Sequence, residues 1–175
     1  TGNAGLLVIW LGLTTANTLT GAYDPTGANV PLTQDGFNNN GHTQGIWSAS
    51  IPAASGSKNI VFTPSASVQY KSAGAHAWLC TNMTSSVAQT AVSITNNNTA
   101  NLSVTAGDFL FGGGLNTSGI TAVNWATSTQ VPATPRSVTS NNFWGADWTI
   151  ASTNASFAAT PKTGQQFYQS YATYR

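Results

Sequence analysis

Apolar and polar residues alternate along most of this chain, and one early stretch breaks the rule. Ala4 to Leu13 reads AGLLVIWLGL, an almost unbroken apolar run with no charge. A membrane-crossing helix needs about 20 apolar residues, so the run is too short to span. No basic segment precedes it, so it does not read as a signal peptide. A buried core helix stays open on period alone. Val8, Ile9 and Trp10 favour a strand, because β-branched and aromatic side chains suit a pleated surface. Nine such residues extend about 30 Å at roughly 3.3 Å each. With both faces apolar, the strand is expected mid-sheet, covered on both sides.

Downstream, the two-residue period takes over. Leu19–Asp24 is a short strand that runs into Asp24-Pro25-Thr26-Gly27, a turn signal with Pro and Gly in standard positions. Val30–Thr33 is another short strand, and Asp35–Gly41 (DGFNNNG) reads as a loop. Gln44–Ile51, the turn PAASGS and Asn59–Thr63 form the clearest hairpin signal. Strands follow at Val68–Lys71, Ala75–Thr81 (expected buried), Val87–Thr95 and Asn101–Thr105. Phe109–Leu115 (FLFGGGL) carries three glycines, which predict a bulge or a close backbone approach. Thr121–Thr127 is a strand, and Val131–Arg136, with Pro132 and Pro135, is an edge segment or loop. Phe143–Ile150, Ser156–Ala159 and the alternating Gln166–Tyr174 close the chain, with a turn at Pro161–Gly164. About ten to twelve short strands with turn signals between them predict an all-β fold. It reads as an antiparallel β-sandwich, jelly-roll-like, in one domain over residues 1–175.

Composition sharpens this reading. Only 5% of the 175 residues are charged, against about 25% in ordinary globular proteins. There are four Asp, no Glu, three Lys and two Arg, and Ser, Thr and Asn make up about a third of the chain. Such a mixture resists helix, because short polar side chains compete for backbone hydrogen bonds. The 41% hydrophobic content and six Trp argue against disorder. A net charge of +1 without a basic patch removes the electrostatic basis for nucleic-acid binding and for anionic lipid, and no membrane insertion is expected. Cys80 is the single cysteine, so no intrachain disulfide forms; it reads as a small buried hydrophobe. The first residue is Thr1 rather than Met, which fits a processed product or an excised domain.

Candidate chemistry is thin. Paired-carboxylate hydrolysis would rest on two of Asp24, Asp35, Asp108 and Asp147, which lie in separate segments and mostly read as turn caps. His42 reads as a solvated loop residue and His76 as bordering a strand, with no metal-ligand spacing and no nucleophile elbow nearby. No catalytic, cofactor or metal residue is assigned. Asp35 with Asn38, Asn39 and Asn40 is oxygen-rich, yet matches no calcium loop and reads as an Asx-turn cluster. A sugar platform is the one binding site with a residue set: Asn141, Asn142, Trp144, Asp147 and Trp148 combine aromatic rings with amide and carboxylate groups. Trp144 and Trp148 share one strand face with Ala146 and Ile150, which equally describes core. Tyr168, Tyr171 and Tyr174 form a similar cluster, read equally as an edge strand or subunit contact. Asn-x-Ser/Thr sequons at Asn82, Asn97, Asn101, Asn116 and Asn154 matter only in a eukaryotic secretory pathway.

The LLVIWLG opening, GIWSASIPAASGSKNIVFTPS, SVTAGDFLFGGG and the Tyr/Phe-rich closing strand together resemble the β-sandwich domains of bacteriophage virion proteins, such as tail fibres, head fibres and capsid decoration proteins. Secreted bacterial β-sandwich modules show similar patterns. The resemblance is one of pattern across most of the chain and carries no site residues over. It implies a non-enzymatic structural or attachment protein on the virion surface. Such a protein would contact other virion proteins, form a homo-oligomer (a trimer by analogy) and touch a host-surface glycan. The alternative is a carbohydrate-binding module or adhesin domain of a secreted bacterial protein. A hydroxyl-and-amide surface suits either setting, because it depends little on salt.

Overall fold

The computed structural model describes residues 5–13, 15–67, 73–81, 90–95, 100–120, 134–139, 141–149, 154–159 and 167–175. The expected segments Val68–Lys71, Thr121–Thr127 and Pro161–Gly164 lie outside them. The described part is all-β: β1 (Gly5–Leu13), β2 (Leu19–Tyr23), β3 (Val30–Pro31), β4 (Thr33–Asn38), β5 (Thr43–Ile51), β6 (Ile60–Pro64), β7 (Ala73–Cys80), β8 (Thr90–Thr95), β9 (Ala100–Val104), β10 (Phe109–Ile120), β11 (Thr134–Thr139), β12 (Asn141–Thr149), β13 (Asn154–Ala159) and β14 (Phe167–Tyr174). They build antiparallel sheets ordered β4-β5-β1-β7, β11-β12-β10-β14-β8 and β3-β2-β6, with β13 paired to β9.

The apolar opening run is the middle of the middle layer. β1 pairs with β5 on one edge and β7 on the other. Its alternation then divides two cores. Leu6, Val8 and Trp10 pack toward β10 and β14, against Phe111, Leu115, Tyr168, Ala172 and Tyr174. Leu7, Ile9, Leu11 and Leu13 pack the other way, against Tyr23, Leu19 and Phe62 of the small sheet. A strand apolar on both faces needs cover on both, and a third layer supplies it.

Asn17 fastens the small sheet to β5. Its backbone N–H donates to Thr43 Oγ1 at 2.6 Å, and its Oδ1 accepts from the backbone and hydroxyl of Ser65 at 3.0 and 2.9 Å. Such bonds satisfy polar groups where two layers meet.

Glycines in β10 let the large sheets close. The Trp10 ring lies on Gly113 from one side, and the Tyr171 ring on Gly112 from the other; a Cβ at either position would fall inside the ring. This is the close approach that the triple glycine predicts. β11 is an edge strand that carries Pro135, as expected of that segment.

Four expectations need correction. Strands 44–51 and 59–63 do not form a hairpin: β5 pairs with β1 and β4, whereas β6 pairs with β2 in another sheet. Both edges of β5 are taken, so PAASGS carries the chain across layers instead of folding it back. The loop expected from Asp35 is strand up to Asn38. β7 is not buried: among the described residues it is an edge strand, and its residues alternate between exposed and half-buried. The C-terminal tyrosines are neither edge nor subunit contact. β14 lies between β10 and β8, and Tyr171 and Tyr174 are fully buried.

Candidate functional site

A candidate site lies where β7 faces β10 and β12, at the open corner between the two large sheets. Ala73, Ala75, Ala77 and Leu79 of β7 are exposed on one face, while His76, Trp78 and Cys80 turn inward and are half-buried. Phe109 and Phe111 reach the corner from β10, and Asp147 from β12, where it stands opposite Phe111 in the ladder. Residues 76–80 with Phe109, Phe111 and Asp147 line a cleft of about 460 Å³, within the common range of small-ligand sites, about 300–1,000 Å³.

Its wall is aromatic and continuous. Trp78 packs on Phe111 with ring centroids 5.3 Å apart and planes tilted by 49°. His76 stands 6.1 Å from Trp78 and 6.0 Å from Trp10, and Phe111 is 5.9 Å from Tyr174. A polar bond crosses the cleft: the Trp78 indole Nε1–H donates to Asp147 Oδ1 at 3.2 Å. It fixes the ring plane and the carboxylate together.

Protonation follows from burial. Burial lowers the His76 pKa, so the imidazole is neutral near pH 7. Burial, and then the Asp147 charge, push the Cys80 thiol up, so it stays protonated. His76 and Cys80 are four residues apart in extended chain, roughly 13 Å, far beyond the contact an activated thiol needs. The arrangement can bind and orient; it does not assemble a Cys–His nucleophile.

The sequence-derived sugar set is divided by this geometry. Asp147 is in the cleft. Trp144 and Trp148 occupy ladder positions opposite Gly114 and Leu110, the alternate register to Asp147. Asn141 and Asn142 begin β12, near the far end of the strand from Asp147. The side chains of Asn141, Asn142, Trp144 and Trp148 lie outside the described part of the structure. Sequence reasoning weighed His76 without assigning it to a site, and it missed Trp78, Phe109 and Phe111. The signal was present in β7 as His76, Trp78 and Cys80 at every second position, with Ala77 and Leu79 between.

The other candidates resolve locally. Asp24 accepts from Ala28 N–H at 3.2 Å and pairs with Lys58 at 3.0 Å, which holds its carboxyl below the usual range. Asp108 accepts from Thr105 N–H at 3.1 Å and binds Arg175 at 2.8 Å. Both cap turns, as read from sequence. Asp35 turns inward and accepts from the Tyr174 hydroxyl at 2.6 Å. Asn38 Oδ1 accepts from Asn40 N–H at 2.8 Å, an Asx turn. Among the described residues, no three His, Cys or Asp side chains gather closely enough to hold a metal ion. His42 is half-buried rather than solvated; its Nδ1–H donates to Gly41 O at 2.6 Å and its ring packs on Tyr168.

Comparison with protein-family models, with curated proteins and with solved structures gives no match.

Proposed function

We propose that this chain is a non-enzymatic structural or attachment protein of a phage particle. It acts at the virion surface through contacts with other virion proteins, with copies of itself and with the host surface. The observation that supports this reading is the outer face of β7. Ala73, Ala75, Ala77 and Leu79 are all exposed there, Leu79 by 52%. The strand contains no Lys, Arg, Asp, Glu or Pro, and among the described residues no strand pairs with its outer edge. Soluble monomers guard such edges with charge, proline or a bulge. An unguarded apolar edge suits burial against another chain. A low-charge surface loses little on desolvation, which fits the same role.

Light scattering after size exclusion tests the reading. The expected result is a stable multiple of 18.1 kDa, three copies by analogy, that dissociates on Leu79→Lys. A clean 18.1 kDa monomer that also fails to incorporate into particles refutes it and shifts the weight to a secreted sugar-binding module.

A further inference from the structure

We infer that the cleft between β7, β10 and β12 is a sugar-binding site, in which Trp78 and Phe109 form the stacking wall, buried Phe111 backs Trp78, and Asp147 and His76 form the hydrogen-bonding rim. The inference rests on the attachment reading above and names what the attachment surface takes.

Three observations carry it. First, the wall is amphipathic in the sense a sugar requires. A pyranose ring has an apolar C–H face and a rim of hydroxyls. Here an aromatic surface is bordered by a carboxylate and an imidazole. Second, part of the wall is open to solvent. Phe109 at the mouth is 36% exposed although it is a large apolar side chain at the edge of a core. Exposed aromatics beside a concave site mark recognition surfaces more often than lone exposed residues do. Third, the polar rim is preorganised. The Trp78 indole bond holds the Asp147 carboxylate in place before any ligand arrives, so less ordering remains on binding.

The ring geometry separates a sugar from the other ligand of aromatic pockets, an organic cation. A quaternary ammonium such as choline is held in a cage of several ring faces. Trp78 instead rests on buried Phe111, with ring centroids 5.3 Å apart, so that side of the indole is already covered and the ring stands as one wall. A wall stacks a flat face and does not enclose a point charge. His76 contributes a ring nitrogen that burial keeps uncharged near pH 7, which suits neutral hydroxyl partners.

The test uses the whole chain. A panel of neutral hexose and N-acetylhexosamine oligosaccharides is screened, and the best binder is titrated by tryptophan fluorescence and calorimetry, with choline chloride as the cation probe. Asp147→Asn keeps an oxygen acceptor for the Trp78 indole, and Phe109→Ala removes only a mouth residue, so both variants are expected to fold; far-UV circular dichroism checks this. The expected result is saturable sugar binding, weakened tenfold or more by Asp147→Asn and at least fivefold by Phe109→Ala, with no binding of choline. Absence of sugar binding overturns the assignment, as does binding that both folded variants leave intact, or binding of choline alone. The native mass of the same sample separates the two readings. An oligomer that binds no sugar overturns the cleft assignment and leaves the structural role standing. A monomer that fails to enter particles yet binds sugar through Trp78 and Asp147 does the reverse.

Discussion

Gly113→Ala is the sharpest test of how the two large sheets meet. An added Cβ would lie inside the Trp10 indole, with Cδ1 at 2.8 Å and Cγ and Cδ2 nearer still, where ordinary contact begins near 3.4 Å. The ring has little room to yield. Trp10 is fully buried, and it also lies over Gly12, where a Cβ would meet its Cη2 at 2.7 Å. Overpacking a tight core costs about 1–3 kcal/mol, and a rigid indole held between layers places this case at the upper end. Replacing glycine also narrows the unfolded ensemble, which returns about 0.4–1 kcal/mol. The net expectation is a loss of about 2 kcal/mol, or about 4–8 °C in Tm for a domain of this size. Urea denaturation followed by circular dichroism at 25 °C reads the loss directly. Adding Trp10→Phe supplies a specific control, since a smaller ring makes room for the methyl. The double variant should lose less than the sum of the single losses by about 1 kcal/mol. A Gly113→Ala midpoint at or above the parent value would refute the packing account, and so would strict additivity.

Two further outcomes test other parts of the fold. Arg175→Met should destabilise by about 1–2 kcal/mol in chemical denaturation: Asp108 is buried to 1% exposure and would lose its partner, while the half-exposed arginine keeps the loss below the roughly 3–5 kcal/mol of a fully buried pair. Adding Asp108→Asn should recover part of it, and a parent-like Arg175→Met would show that the C-terminal ion pair does not hold β14. Burial raises the Asp35 pKa above the ordinary 3.8, offset in part by the hydrogen bonds it accepts, Tyr174's among them. The folded state therefore binds this proton more tightly than the unfolded chain does. The resulting stability is complete below about pH 3.8 and is lost as pH rises through the raised value. Asp35→Asn should flatten that fall in a series of urea midpoints from pH 3 to 7, and an unchanged profile would remove Asp35 as its source.

What the sequence alone determined follows from local chemistry. The run GLLVIWLGL is apolar at both parities, so any pleated strand built from it needs cover on two faces, and it lies in the middle layer with a core on each side. Glycines in FLFGGGL leave room that only another group can fill, and Trp10 and Tyr171 fill it. Pro135 cannot donate to a ladder, and its strand is an edge. The all-β class follows in the same way from short polar residues and two-residue alternation.

Partner choice was decided only by the tertiary structure. Alternation says that the two faces of a strand differ; it does not say which strand lies beside it. Hence β5 and β6 read as a hairpin yet enter different sheets, and the tyrosines of β14 read as an edge yet lie inside. The cleft has the same origin. Trp78 and Asp147 are 69 residues apart, and each is unremarkable within its own strand. They meet because β7 ends one sheet directly across from β12 of another, and that pairing order depends on the contacts of the whole chain at once.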